Sequence, residues 1–400
     1  MPFVRGSLLL AALVLVAQWA RGANPAASAG SEPGADAGPA EAPAPRRGFF
    51  SRFKDPTDGR LDLTAGGSGG TSGFVPLAVP NNDPTLGAGL VSAIVYFHPS
   101  KLPPEVRKDN PPTMTGASIG ATNNDSWGVA GLHSAVWSGG RTRYLGVLGA
   151  ASLNLDYYGS ESVDLSDNPA RFNIEGGILV QQTQFRLGDS RLFAGVRYML
   201  LSTDVTFDVT PTFPIELGRT KDAGLAALLD YDSRDNTFTP NEGRRSALAI
   251  SYFSESLGGD FDYAKLNASD FQYWQLHEQR LAFGLRLEYA FAEDEAPFYS
   301  LPWVSLRGIP ILRYLGHHVL TVEIEPRWKI DERWSVLGFT GAGRAADELD
   351  GLDDAEAAYN YGVGFRYLLS RRLGLAGGID VARGPEDTVL YLTFGNAWGL

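Results

Sequence analysis

Few residues in this chain are of a type and spacing that could do covalent or metal chemistry. Gly66-Gly67-Ser68-Gly69-Gly70 has the Gly-x-Ser-x-Gly spacing of a nucleophile elbow, in which a sharp turn between a strand and a helix presents a serine hydroxyl to a base. The run has neither a strand before it nor a helix after it, and a glycine-serine linker matches the pattern by composition alone. His133 and Ser134 are adjacent, but neighbours on one strand point to opposite faces, so they form no dyad. His317 and His318 lack nearby convergent carboxylates, and two imidazoles alone more often sit in solvent than on a metal. The acids Asp347, Glu348, Asp350, Asp353, Asp354 and Glu356 lack calcium-loop spacing and read as solvated loop charge. The expectation is a protein with no catalytic residues, no metal and no cofactor.

The elements that would have to position any site are strands. Hydrophobic residues are 44% of the chain while mean hydropathy is only -0.12, so apolar and polar residues are finely interleaved. Gly 47, Tyr 16, Phe 21 and Trp 8 suit a large sheet with tight turns and aromatic residues at membrane interfaces. Cys 0 excludes disulfides and thiolate metal sites, and a net charge of -12 disfavours nucleic-acid binding. In Leu281 to Ala290, Leu281, Phe283, Leu285, Leu287 and Tyr289 share one face and Gly284, Arg286 and Glu288 the other, as a lipid-facing wall and a polar lumen require. Alternating stretches of this kind recur between Gly73 and the C-terminus, about sixteen in number, the even count that a single-chain bacterial barrel prefers.

Residues 1–22 read as a cleaved secretory signal, with Arg5 before an apolar core and small residues at Ala20 to Gly22. Residues 23–72 read as a disordered periplasmic leader with no room for a folded domain, and residues 73–400 as the barrel. Outside the N-terminus no run approaches the ~18 apolar residues of a spanning helix. A soluble lipocalin-like barrel or β-sandwich rarely needs so many long strands. The expected fold is therefore all-β: a transmembrane antiparallel β-barrel of about 16 strands in the bacterial outer membrane, in contact with outer-membrane lipid and lipopolysaccharide.

Three stretches are more specific. Asp230 to Gly243, with Tyr231, Asp232, Arg234, Asp235, Asn236, Pro240 and Gly243, resembles the Tyr-Asp-Thr-Arg-Asp-Asn-x-Phe-x-Pro-x-x-Gly hairpin of the bacterial surface antigen family, the barrel superfamily of BamA and TamA. Leu306-Arg307-Gly308-Ile309, in the long connection from Ala292 to Val319, resembles the family's Val-Arg-Gly-Phe motif at the tip of a lumen-inserted loop. Glu325 and Phe339-Thr340-Gly341-Ala342-Gly343 stand where the family places a Glu and a Phe-x-Asp-x-Gly pattern on the facing wall, with Gly341 in place of the Asp. The resemblance, from about Gly73 to Leu400, implies a latch of Arg307 with Glu325 that lacks one acid. Arg307, Gly308, Glu325, Phe339, Gly341 and Gly343 are its expected members. A guanidinium inside a barrel must be paired, and Gly308 lets the loop backbone approach the wall.

What the resemblance implies about function is a role in outer-membrane protein assembly or polypeptide translocation, with unfolded polypeptides as substrates. A weak seam between first and last strands would open and template an incoming strand by edge pairing. A passive or gated pore for small solutes is the alternative, and an outer-membrane lipase a third reading.

Overall fold

The computed structural model describes residues 54–55, 57–62, 73–100, 102, 110–111, 113–160, 163–208, 215–371 and 374–398. The expected signal peptide, the leader up to residue 53 and the Gly66 to Gly70 run lie outside the described residues.

Sixteen strands form one antiparallel sheet in which each pairs with its neighbours in sequence. They are β1 (Gly73–Asp83), β2 (Gly87–Phe97), β3 (Met114–Thr122), β4 (Trp127–Trp137), β5 (Thr142–Tyr157), β6 (Ala170–Arg186), β7 (Leu192–Phe207) and β8 (Ile215–Asp232). There follow β9 (Gly243–Phe253), β10 (Tyr263–Leu276), β11 (Leu281–Ala292), β12 (His318–Lys329), β13 (Trp334–Ala346), β14 (Ala358–Ser370), β15 (Leu375–Arg383) and β16 (Thr388–Phe394). Each falls on one of the alternating stretches of the sequence. An even number of strands returns the chain to the rim where it entered, so β1 begins and β16 ends at one rim, here the terminal rim. The connection of residues 293–317 lies at the opposite, distal rim.

The alternation does its expected work on the outside. Leu90, Ile94, Leu148, Leu225, Ile250, Leu320, Val363 and Leu390 are exposed on the outer wall, where lipid would cover them. Trp137, Tyr231, Trp274, Trp328 and Trp334 are exposed near the terminal rim, and Trp127, Tyr252, Tyr359 and Tyr361 near the distal one, giving the two aromatic girdles of an outer-membrane barrel. No helix among the described residues is long and apolar enough to cross a membrane.

The lumen differs from expectation. Along β11 it is polar, with Arg286 buried inside, but along β2 to β7 it is lined by Val95, Val147, Leu153, Leu155, Phe172, Ile174, Val180 and Val205, all buried. These pack against Tyr299, Trp303 and Leu312 of the 293–317 connection. The lumen on that side is a core, because an inserted apolar loop replaces water there.

The sheet has one discontinuity. β1 pairs only with β2, and β16 only with β15. The two outer strands lie side by side with Cα atoms within 8 Å, yet no ladder joins them among the described residues.

Of the segment before the barrel, residues 54–55 and 57–62 are described. Lys54 bridges Leu61, and the Asp55 N–H donates to the Arg60 carbonyl at 2.8 Å, closing a small turn against the terminal rim.

Candidate functional site

The 293–317 connection is a hairpin folded into the lumen. Trp303 bridges Leu315, and the Val304 N–H donates to the Tyr314 carbonyl at 2.9 Å, which puts Leu306 to Pro310 at its tip. Its near arm is anchored on β5 to β10. The Phe298 ring lies 5.3 Å from Tyr157, 5.5 Å from Phe172 and 5.7 Å from Phe207 between centroids. Tyr299 shares a 2.8 Å hydrogen bond with Thr220, and buried Lys265 donates to the Ser300 carbonyl.

At the tip, Arg307 reaches the inner wall of β12 and β15. Its Nε and Nη2 donate to Glu323 Oε1 at 3.1 and 3.0 Å, and its Nη1 to Asp380 Oδ2 at 3.1 Å. Its Cζ lies 3.4 Å from the Phe339 ring centroid, so the same cation meets a π face. Glu325 Oε2 is 3.0 Å from Arg307 Nη2 but makes no hydrogen bond. The expected pairing of Arg307 with Glu325 is thus present as an ion pair, and the directional bonds go to Glu323 and Asp380.

These two acids supply what Gly341 lacks. A Cβ at Gly341 would stand 3.0 Å from both Asn360 Oδ1 and Glu323 Cβ, so the place of an aspartate is already filled. Asn360 Nδ2 donates to the Arg307 carbonyl at 2.9 Å and to Glu323 at 3.3 Å. Gly343 leaves room for the loop, since a Cβ there would be 2.4 Å from Val304. Gly308 has φ +86, open to glycine at no cost, and turns the chain so that its N–H donates to Tyr391 Oη at 2.8 Å.

The network continues on both sides. Arg286, on β11, lies 3.5 Å from Glu323 and also pairs with Glu288. Arg366, on β14, holds Asp380 with a 2.9 Å bond. Arg286, Arg307 and Arg366 therefore face Glu323, Glu325 and Asp380 in a buried, alternating chain of charge. Burying any of these alone would be prohibitive, and alternation is what makes the set tolerable. Thr393, on β16, donates to Asp380 at 3.1 Å.

Beyond the tip the far arm crosses to the other side of the discontinuity. The Ile311 N–H donates to Thr85 Oγ1, in the β1–β2 turn, at 2.6 Å. Leu312 is fully buried in the cluster that includes Leu86 and Val95. Arg313 pairs with Glu386 at 2.6 Å and donates to Ser166 at 3.1 Å. One loop therefore binds β16 through Tyr391 and the β1–β2 turn through Thr85, and so stitches the seam that the ladder leaves open.

The hairpin motif forms a second, separate constellation at the terminal rim, between β8 and β9. Arg234 pairs with Asp232 at 2.8 Å. Asp235 Oδ1 accepts from the Asn241 N–H at 2.9 Å, and Asn236 Oδ1 from those of Phe238 and Thr239, both at 2.8 Å. Gly243 has φ +97, and a Cβ there would meet the Ser233 carbonyl at 2.4 Å. These bonds aim Phe238 into the lumen, where it is buried with Leu375, while Arg327 of β12 donates to the Pro240 carbonyl at 2.7 Å. Tyr231 is exposed on the outer wall. The structure thus gathers all six expected latch residues at one place and the hairpin residues at another.

Glu323, Asp380, Asn360, Tyr391 and Thr85 are the members of the site that the sequence reading missed. Glu323 carried a signal, since it shares a face with Glu325 two residues on. Asp380 carried a fainter one, a lone acid within Leu375–Arg383.

The other candidates separate. Ser134 is buried on the lumen side, whereas His133 Nδ1 lies 2.9 Å from the Thr115 hydroxyl. His317 Nδ1 is 2.9 Å from the Ala292 carbonyl, and His318 Nδ1 is 2.8 Å from Tyr289 Oη.

Comparisons with known proteins agree with this architecture. Residues 145–301 match the Omp85 superfamily domain. No curated protein matches the sequence. Among solved structures, the chain resembles BamA from Haemophilus ducreyi lacking POTRA domains 1-3, with a TM-score of 0.53 at 11% identity, covering 82% of this chain and 70% of that one. It resembles CdiB from Escherichia coli with a TM-score of 0.54 at 10% identity, covering 80% and 62%. For CdiB from Acinetobacter baumannii the values are 0.51 and 12%, covering 80% and 59%. The chain therefore spans less than two thirds of either CdiB. Sixteen-strand count, girdles and lumen loop converge on one fold, an antiparallel β-barrel of the outer-membrane type in which residues 145–301 match the Omp85 superfamily domain.

Proposed function

We propose that this barrel acts in outer-membrane protein assembly or polypeptide translocation, with unfolded polypeptide as its substrate, by opening the seam between β1 and β16. The observation that carries the proposal is the seam itself. Among the described residues fifteen junctions of the sheet are laddered, and the one between β1 and β16 is not; side chains and backbone of the 293–317 loop bridge it instead. A stitch of a few hydrogen bonds can be released at far lower cost than a ladder, and the edges then exposed are templates for an incoming strand. The latch gives the closed state a specific lock, because the Arg307 fork is satisfied only with the loop inside.

A barrel whose lumen is occupied by an apolar loop and a charge network is poorly suited to steady solute flow, which favours this reading over a passive pore. The test is planar-bilayer conductance of the refolded protein beside Arg307→Ala and Glu323→Gln. Near-closed wild type with large, unstable openings in both variants supports a releasable latch. Steady wild-type conductance untouched by either change would leave a simple pore as the better account.

A further inference from the structure

The two edges of the seam are unequal, and the inequality lies in their backbones. The Asn123 N–H donates to the Ala88 carbonyl at 2.8 Å and the His98 N–H to the Thr113 carbonyl at 2.9 Å, so the even-numbered residues of β2 turn their backbone groups toward β3. Along a strand these groups alternate sides, and the registers of β2 with β1 and with β3 run without a bulge. The odd-numbered residues of β2 therefore bond β1, and their partners there are odd-numbered too, as in Val75 with Val95 and Val79 with Val91. The even-numbered residues of β1, Phe74, Pro76, Ala78, Pro80 and Asn82, face the seam. Two of these five positions are proline, which has no N–H to give.

On the other edge, the Gly395 N–H donates to the Ala376 carbonyl at 2.7 Å, and the β15–β16 register is unbroken from Gly377 with Phe394 to Arg383 with Thr388. The same alternation turns Thr388, Leu390, Leu392 and Phe394 toward the seam, and each of them carries an N–H. Pro76 and Pro80 sit at membrane depth, since their partners in β2 are Ile94 and Leu90, both exposed on the outer wall. A strand laid along β1 would leave two of its own carbonyls opposite these prolines without a donor, and hydrocarbon offers no substitute. A strand laid along β16 meets a donor and an acceptor at every seam-facing position from Thr388 to Phe394. Proline on an edge strand blunts it against pairing, so β1 is the guarded edge and β16 the open one.

We propose that the seam edge of β16 is the binding surface for an extended polypeptide segment, which pairs antiparallel with Thr388 to Phe394, and that Pro76 and Pro80 keep β1 from competing for that surface. The partner it fits is a strand of alternating side chains. Leu390 is exposed on the outer wall, while Tyr391 and Thr393 bond the loop tip and Asp380 in the lumen, and an added strand has to continue an apolar face outward and a polar one inward. The inference rests on the seam-opening function proposed above and adds to it the edge that does the pairing.

Two measurements separate the edge from the function, with barrel folding checked in every variant by the heat-modifiable gel shift. In the first, Pro76→Ala with Pro80→Ala returns both donors to β1. Hydrogen exchange at the Thr388, Leu390 and Leu392 N–H groups is expected to slow by roughly tenfold or more as β1 and β16 form a ladder; unchanged exchange overturns the role of the prolines. The second uses the Arg307→Ala background, in which the latch is released. Because the chain contains Cys 0, Leu390→Cys on β16 or Ala78→Cys on β1 places a single thiol beside the seam. The probe is a synthetic peptide of residues 243–253, an alternating strand of this same barrel, carrying Leu248→Cys. Oxidative cross-linking to Leu390→Cys is expected to exceed that to Ala78→Cys severalfold. Equal yields, or a preference for Ala78→Cys, overturn β16 as the binding edge. Cross-linking to neither, with exchange slowed in the alanine variant, overturns the pairing with polypeptide and leaves the inequality of the edges standing.

Discussion

At the scale of single residues, the latch is governed by how many partners each charge keeps. Arg307→Ala leaves Glu323 with Arg286 and Asp380 with Arg366 but removes the cation beside Glu325. Breaking a buried ion pair from one side costs about 3–5 kcal/mol, and the loss is expected as a lower urea midpoint of the bilayer-refolded protein. Arg307→Lys should recover only part of it, because an ammonium cannot reproduce a fork that serves Glu323 and Asp380 together. Glu323→Gln should destabilise more than Glu325→Gln, since Glu323 accepts directional bonds and Glu325 Oε2 does not. Equal effects of the two changes would contradict that assignment. Gly341→Asp, which restores the acid expected from the family pattern, should weaken this protein instead, because the new Cβ would press on Glu323 and Asn360. Here the sequence was informative about the centre of the site and silent about its periphery. A motif marks Arg307 and Phe339, but Asp380 and Tyr391 come from strands far along the chain, and only closure of the sheet brings them to the loop.

At the scale of elements, strand positions were legible because period-two alternation follows directly from a wall with lipid on one side. What lies inside was not legible, because filling a lumen leaves no periodic trace. Val147, Leu153 and Phe172 read as ordinary apolar positions, and their partners are Tyr299 and Leu312 of a loop more than a hundred residues away. The hairpin of residues 233–242 shows the same division: its bonding was readable, while its direction into the lumen was not. Because Asn236 caps two N–H groups and Phe238 is the plug they aim, the two should fail differently. Phe238→Ala should cost about 3–5 kcal/mol as a buried cavity. Asn236→Ala should cost about 1–2 kcal/mol for orphaned N–H groups, with exchange at Phe238 and Thr239 accelerated. Comparable midpoints for the two variants would indicate that Phe238 is not a core residue.

At the scale of the whole molecule, the barrel is a nearly closed sheet whose β1–β16 junction carries no ladder among the described residues, with the 293–317 loop buried across it near the distal rim and an acidic turn that includes Asp55, Asp58 and Asp62 docked on Arg333 and Arg371 at the terminal rim. The two differ in how solution conditions reach them. The charge network at the loop tip is desolvated, so salt screens it weakly; part of the docked turn's contact, notably Arg60 with Asp331, faces solvent and is screened at the ionic strengths that shorten the Debye length to a few ångströms. Hydrogen bonds from Arg333 and Arg371 hold the Asp58 carboxyl well below the usual carboxylate range, and the backbone N–H groups of Arg333 and Trp334 lower Asp331 likewise. A carboxyl whose folded value is depressed contributes its full stability above the ordinary aspartate range and loses it as pH falls through and below that range. Docking should therefore be complete at neutral pH and weaken only under acid, with Asp55, Asp58, Asp62, Asp331 and Glu332 facing Arg60, Arg333 and Arg371. A spin label at Thr57→Cys should be immobilised at pH 7, gain mobility progressively as pH falls below the ordinary aspartate range, and gain it at higher pH when the salt is raised. A label already freely mobile at pH 7 would mean that the carboxylates do not hold the turn.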